Sequence, residues 1–442
     1  MSTPSSIFYR VARECSIHLA QLGLLYLFVA LTACGGGGAP TESALPSANA
    51  VTDQSQVNAA DLSPTNAQSL PSPTLPDTPM LANAPSAPIS GQQSRELLSL
   101  PSNVLASARK IASLPTPTLL RRKVVGGLIE PTDLVTASDG TLFFTERGRG
   151  LFVLRPGADA VSVFSEREVA PTSRSGMFAV ALDPEFTRNR FVYVLARTSW
   201  RGAEVGRVIR VALDATYTRA TNRIDILKVP ISAALDPGQQ RLSVSKGDLR
   251  FGPDGYLYVS LGDDSQSTAS QATQTLAGKL LRIDRDGKPA ANNKAPPGFD
   301  KRIYSLGIRS PSTIAFHPET EALLIGQRRQ AALDEIVAKQ LKGAGGFVTA
   351  WRSNREADGL SAIELLRGPM WGAWRNAFAV TFDQGQRIDF VKINSLGRTV
   401  HTATVVEKLG VGFNGIVERP DGLYVMTRGR VGGDEIWRLS PL

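Results

Sequence analysis

The sequence predicts an all-β fold, a six-bladed β-propeller, and three observations carry that prediction. A unit made of a polar turn and a short strand rich in aromatic and β-branched residues recurs six times from about Val124 onward. The copies stand roughly 45–70 residues apart, which leaves room for further strands in each interval, as propeller blades require. The 442 residues include 40 glycines and 28 prolines, an abundance that suits a chain of many turns better than compact helices.

Three segments follow in chain order. Residues 1–33 read as a targeting segment: Arg10 and Arg13 precede the apolar run Leu22–Leu31, the layout of a secretory n-region and h-region. That run is too short to be a comfortable spanning helix. It ends in Leu31-Thr-Ala-Cys34-Gly35, which resembles the lipobox of bacterial lipoproteins. The resemblance implies cleavage before Cys34, a diacylglycerol on its sulfur and an acyl chain on the new amino terminus, and several chains anchor far better than one. Gly35 stands where Asp would imply retention in the inner membrane. The expected location is therefore the bacterial cell envelope, lipid-anchored to the outer membrane on its periplasmic or surface face, with the membrane as partner through acylated Cys34. The other cysteine, Cys15, lies inside the targeting segment, so no disulfide or cysteine-metal site is expected in the folded domain.

Residues 34–120 are rich in Ala, Ser, Thr and Pro, and such a segment buries too little apolar surface to offset its ordering entropy. They read as a flexible tether. A short apolar-periodic stretch from Leu97 to Ile111 has the spacing of a helix.

Residues 121–442 carry the repeats. The copies are Ala137-Ser-Asp-Gly-Thr-Leu-Phe-Phe-Thr, Asp183-Pro-Glu-Phe-Thr-Arg-Asn-Arg-Phe-Val-Tyr-Val, Gly252-Pro-Asp-Gly-Tyr-Leu-Tyr-Val, His317-Pro-Glu-Thr-Glu-Ala-Leu-Leu-Ile, Trp374-Arg-Asn-Ala-Phe-Ala-Val and Arg419-Pro-Asp-Gly-Leu-Tyr-Val. Proline presets φ for the first turn position and glycine tolerates positive φ, so each copy reads as one chain reversal that launches a strand. The formal charge is +9, but the basic residues are scattered singly or in pairs such as Arg121-Arg122 and Arg328-Arg329. A solvated basic surface is expected, and no nucleic-acid partner.

Five segments in order resemble the soluble quinoprotein glucose and sorbosone dehydrogenases: Gly127-Leu-Ile-Glu-Pro-Thr-Asp-Leu with Thr145-Glu-Arg-Gly-Arg-Gly-Leu, then Gly176-Met-Phe-Ala-Val-Ala-Leu-Asp-Pro, Gly247-Asp-Leu-Arg-Phe-Gly-Pro-Asp-Gly, Leu276-Ala-Gly-Lys-Leu-Leu-Arg-Ile and Ile303-Tyr-Ser-Leu-Gly-Ile-Arg-Ser-Pro. The resemblance spans essentially all of 122–442. It implies pyrroloquinoline quinone over the propeller channel, held by calcium and cationic side chains, with a histidine taking the proton of a sugar hydroxyl while hydride passes to the quinone.

Most of the implied positions are replaced. Among three histidines, His18 lies in the targeting segment, His317 in a Phe-His-Pro turn that the family also carries, and His401 in a Thr/Val-rich strand. The implied catalytic histidine falls just before Gly247, where the chain reads Leu242-Ser-Val-Ser-Lys-Gly. Gly-His-Arg-Asn-Pro becomes Gly307-Ile-Arg-Ser-Pro, which keeps Arg309. The calcium segment becomes Gln327-Arg328-Arg329-Gln, and a paired cation repels Ca²⁺. The carboxylate clamp becomes Gly412-Phe-Asn-Gly, and a lysine becomes Asp383. What the resemblance leaves is Asp263 and Arg309 as catalytic candidates, Arg309, Arg328 and Arg329 as cofactor contacts, and Asp334-Glu335 as a residual calcium site. Asp434-Glu435 is a further acidic pair beside glycines.

Two classes of function therefore stand. One is a degenerate propeller that binds a small polar ligand or a glycan; the other is a quinone-dependent aldose or sorbosone dehydrogenase with a rearranged site.

Overall fold

The computed structural model describes residues 113–165, 175–200, 203–231, 247–262, 272–273, 275–308, 311–328, 333–341, 346–356, 358–429 and 433–442. Cys34, the targeting segment and the tether as far as residue 112 lie outside them. The strands, numbered β1 to β24 in chain order, form six antiparallel sheets of four, each a blade. The innermost strand of each blade is β2 (Pro131–Thr136), β6 (Gly176–Leu182), β10 (Asp248–Phe251), β14 (Pro311–Phe316), β18 (Leu360–Leu365) or β22 (Gly412–Arg419). Each touches its successor, and β22 returns to β2, so the blades form a ring around a channel.

The ring closes through its first strand. Strand β1 (Leu119–Leu128) pairs with the last strand, β24 (Asp434–Pro441), in a register from Leu119 opposite Pro441 to Leu128 opposite Asp434. The sixth blade thus takes three strands from one end of the domain and its outer strand from the other. The ladder starts at Leu119, two positions ahead of the boundary read from composition.

Each repeat copy joins the innermost strand of a different blade to its second strand: β3 (Leu142–Glu146), β7 (Phe191–Trp200), β11 (Leu257–Ser260), β15 (Leu323–Arg328), β19 (Phe378–Phe382) and β23 (Gly422–Arg428). In the first copy Gly140 adopts φ +84°, its N–H donates to Ala137 O at 3.0 Å, and Asp139 accepts from Thr141 N at 2.8 Å. Three copies share a latch. The turn aspartates Asp183, Asp254 and Asp421 accept from the hydroxyls of Tyr193, Tyr258 and Tyr424 on the second strand, at 3.0, 2.8 and 2.8 Å. An arginine of the third strand lies opposite each tyrosine: Arg210, Arg282 and Arg438. Arg282 and Arg438 donate to their turn aspartates at 2.8 and 3.1 Å, while Arg210 turns to Asp286 at 2.7 Å. Burial of a phenol that must keep its donor explains the recurrence.

The apolar cores lie between blades. One cluster joins Tyr193, Leu195 and Val208 of the second blade to Leu249, Val259 and Leu281 of the third, with Tyr193 edge-on to Phe251 at 5.1 Å. Polar side chains stitch the innermost strands. Thr132 donates to Met177 O at 2.9 Å, Asp248 accepts from Ile314 N at 2.8 Å, Ser361 donates to Phe413 O at 2.6 Å, and Asn414 donates to Pro131 O at 2.7 Å. These bonds satisfy backbone groups that a closed ring removes from water.

Candidate functional site

Antiparallel pairing brings the start of each innermost strand, the end of the second strand and the start of the third to one face. In the fourth blade Pro311 lies opposite Gln327 and Gln327 opposite Glu335; in the fifth, Leu360 lies opposite Phe382 and Phe382 opposite Arg387; in the sixth, Gly412 lies opposite Arg428. Gln327, Glu335 and Gly412 lie at this edge, with Asp334 and Asp383 next to it.

Behind the edge, the channel is crossed by an ion cluster. Arg250 of β10 donates to both carboxylate oxygens of Asp133 on β2, each at 2.9 Å, and to Val180 O at 3.1 Å, and it lies 3.0 Å from Asp248. The first and third blades are not neighbours, so these side chains meet only across the channel. Burial, then the Asp133 charge, push the Asp248 carboxyl up to about 7 against the pull of Arg250. Glu364 of β18 is likewise raised, chiefly by burial and against the nearby Arg367 and Arg250. None of these four stands out as a site residue in the sequence; the one available signal is charge at alternate positions of Asp248-Leu-Arg250, both on the channel side of a strand.

The fourth blade holds the two acidic residues expected at a calcium site. Glu335, fully buried, accepts from Gln327 Nε2 at 3.0 Å, Thr349 Oγ1 at 3.3 Å and Arg352 Nη2 at 3.2 Å. Asp334 accepts from Leu360 N at 2.9 Å and so ties the fourth blade to the fifth. Among the described residues, no three His, Cys, Asp or Glu side chains are grouped to hold a metal ion. Asp263, Arg309 and Arg329 lie outside the described residues, as does the segment 242–246; Arg328 ends β15, and its side chain also lies outside them.

The fifth blade carries a buried network that sequence reasoning missed. Arg387, 2% exposed, donates to Asp358 and, at 3.0 Å, to Asp389, and its guanidinium lies 3.9 Å from the centre of the Phe382 ring. Ser353 donates to Asp358. Burial raises the Asp389 carboxyl despite the neighbouring arginine.

At the rim of the sixth blade, Arg428 donates to Asp383 at 2.7 Å. A Cβ built on Gly412 would collide with the Asp383 carbonyl and carboxylate. Only glycine fits beneath this pair. Arg428 and Arg197 also bear on Arg147 of the first blade, whose guanidinium pKa is lowered, first by burial and then, against Glu130, by these two positive charges. Three blades thus present arginines toward one arc of the rim, and Arg147 also covers Phe178 at 5.7 Å. Such an arc attracts carboxylates or other oxyanions.

The two late histidines are not at the rim centre. His317 is buried in its turn; its Nδ1 accepts from Glu319 N and Thr320 N at 3.3 and 3.4 Å, and Nε2 lies 3.2 Å from Ile393 O, so both ring nitrogens are engaged by backbone. His401 lies in β21 (Thr399–Val406) opposite Lys392.

Comparison with known proteins agrees with this architecture. The family model for glucose/sorbosone dehydrogenase matches residues 128–340. Aldose sugar dehydrogenase YliI of Escherichia coli (strain K12) is 26% identical over 339 residues, covering 70% of this chain and 86% of that protein. Quinoprotein glucose dehydrogenase B of Acinetobacter calcoaceticus is 25% identical over 244 residues, 49% of each chain. The solved apo structure of soluble aldose sugar dehydrogenase from Escherichia coli aligns with a TM-score of 0.62 at 19% identity, over 74% of this chain and 100% of that one. With five ordered sequence segments, a six-bladed ring and these relatives in agreement, the propeller of this chain matches the glucose/sorbosone dehydrogenase family over residues 128–340.

Proposed function

We propose that this chain is an envelope lipoprotein whose propeller binds a small polar ligand or a glycan on the rim face, without quinone chemistry. The observation that carries the reading is the Asp383–Arg428 pair seated over Gly412. The described residues do not fit pyrroloquinoline quinone with calcium. A carboxylate stands where a cation is needed, the position beneath it admits no side chain, Asn414 is buried and bonded to Pro131 O, and Asp334 and Glu335 already accept from protein donors. Losing charge-assisted contacts costs about 1.5–3 kcal/mol each, enough together to weaken binding by orders of magnitude. A rim lined with arginines and acids offers the hydrogen bonds that a polar ligand needs.

The alternative is a quinone-dependent aldose dehydrogenase. It draws support from the names of the relatives and from Arg147, Arg197 and Arg428, which could meet the quinone's carboxylates from other blades. One experiment separates the two. The purified chain is titrated with the quinone and Ca²⁺, followed by absorbance, and assayed for dye-linked oxidation of glucose and other aldoses. Weak or no quinone binding is expected; sub-micromolar binding with sugar-dependent dye reduction overturns the ligand-binding reading.

The anchor is tested separately. The wild type is expected in outer-membrane fractions and tagged by a clickable palmitate, and Cys34→Ala in a soluble or unprocessed form. An untagged wild type refutes lipidation.

A further inference from the structure

On the face opposite the rim, a cleft of about 370 Å³ opens where the sixth blade meets the first. It is walled by Arg122 and Lys123 of β1, Arg155 just after β4 (Gly150–Leu154), Arg419 at the end of β22, and Arg438 of β24 with its latch partner Tyr424. Five cations line it, and no carboxylate does.

The nearby acids do not balance these charges. Asp421 lies 3.1 Å from Arg438 and 3.6 Å from Arg419, and Lys123 reaches Glu435 at 3.4 Å. Arg122 and Arg155 have no carboxylate partner among the described residues. Burial pushes the Asp421 carboxyl up, but hydrogen bonds from Tyr424 and Arg438 and the charge of Arg419 outweigh it, so it stays ionised and committed to the latch.

One buried donor is also left over. Arg438 Nε has no hydrogen-bond acceptor; Arg419 Nε and Asp421 Oδ1, also without hydrogen bonds, face each other at 3.6 Å. The equivalent arginines in other blades reach a second acceptor, Asp286 for Arg210 and Asn293 for Arg282. A buried N–H without a partner is costly, and a native structure that keeps one beside a cleft lined by five cations has room for an acceptor from outside. That acceptor should be compact, anionic and rich in oxygen, which describes a phosphate group.

We propose that this cleft binds the phosphate of a phosphate ester. It depends on nothing at the rim. Leu120 and Val124 of the same strand are exposed apolar side chains, so the phosphate could come from a lipid headgroup as well as from a soluble ester. The test distinguishes the sources. The full-length chain is titrated calorimetrically at fixed ionic strength with inorganic phosphate, glycerol 1-phosphate and, as control, glycerol. A Cys34→Ala form is sedimented with phosphatidylglycerol or phosphatidylcholine vesicles. Saturable binding of either phosphate, absent for glycerol, is expected, and Arg122→Gln with Arg155→Gln should weaken it at least tenfold. Both side chains are exposed, so the unliganded melting temperature should stay unchanged. Sedimentation with phosphatidylglycerol alone, lost in the double variant, identifies a lipid source; binding of the soluble phosphates without sedimentation identifies a free ester. No saturable phosphate binding, or equal binding by the double variant, overturns the proposal.

Discussion

Blades five and six each set an arginine against aspartate at the same edge, yet the two pairs are built to opposite ends. Arg387 is 2% exposed, holds Asp358 and Asp389 at once and is roofed by the Phe382 ring. Arg428 is 35% exposed and holds Asp383 alone, over a glycine. Burial and partner number, not the pairing itself, separate a structural clamp from a rim that a ligand can reach. A clamp that loses one member leaves uncompensated charge in a dry place, whereas water re-solvates a rim pair that loses one.

The largest expected effect lies in the clamp. Arg387→Met should cost about 3–5 kcal/mol of unfolding free energy, because Asp358 and Asp389 would be left buried without their cation. Urea unfolding of this variant beside Arg428→Met measures the contrast. Equal losses in the two would erase the distinction drawn between the blades.

The channel cluster extends the comparison inward. Arg250 serves two aspartates, as Arg387 does, but sits where the channel admits some solvent, with 20% of its side chain exposed. Arg250→Met should therefore destabilise by on the order of 3 kcal/mol, less than the clamp variant. A loss below that of Arg428→Met would show that the cluster is not holding the innermost strands together.

The pH dependence follows from Asp248. Its carboxyl rises from 3.8 to about 7 on folding, so between these values the folded chain holds a proton that the unfolded chain has released. Its contribution to stability is complete below about pH 4 and is lost as pH rises toward 7. Asp248→Asn should flatten that part of the profile, as measured by unfolding midpoints across the range. An unchanged slope would place the titrating group elsewhere.

These elements differ in how far the sequence announces them. The ring was legible because each blade repeats one turn chemistry: Pro-Asp-Gly in two copies and an aspartate latch in three are local signals that survive without tertiary context. His317 was legible in the same way, through its Phe-His-Pro turn. The clamp was not, because Ser353, Asp358, Arg387 and Asp389 come from separated stretches and meet only when the fifth blade folds. The channel cluster joins Asp133 to Arg250, 117 residues apart, and no spacing rule connects them. The replaced rim was half legible: Gly412 and Asp383 each stood out as departures from the family, but that one excludes a side chain from the other appears only in three dimensions.

The smallest effect on stability should give the sharpest reading of the rim. Asp383→Asn removes the charge that occupies Arg428 while keeping the shape over Gly412. Both side chains are partly exposed, so stability should change by no more than about 1 kcal/mol. Freed of its carboxylate, Arg428 would join Arg147 and Arg197 as a third cation facing an incoming anion. If the Asp383 carboxylate is what bars a quinone with three carboxylates, the variant should bind it about tenfold more tightly than the wild type, the worth of one recovered charge-assisted contact. Absorbance titration of both forms reads the ratio directly. A ratio of one would mean that the exclusion lies in the replaced calcium segment of the fourth blade, and that Asp383 shapes the rim without setting its charge preference.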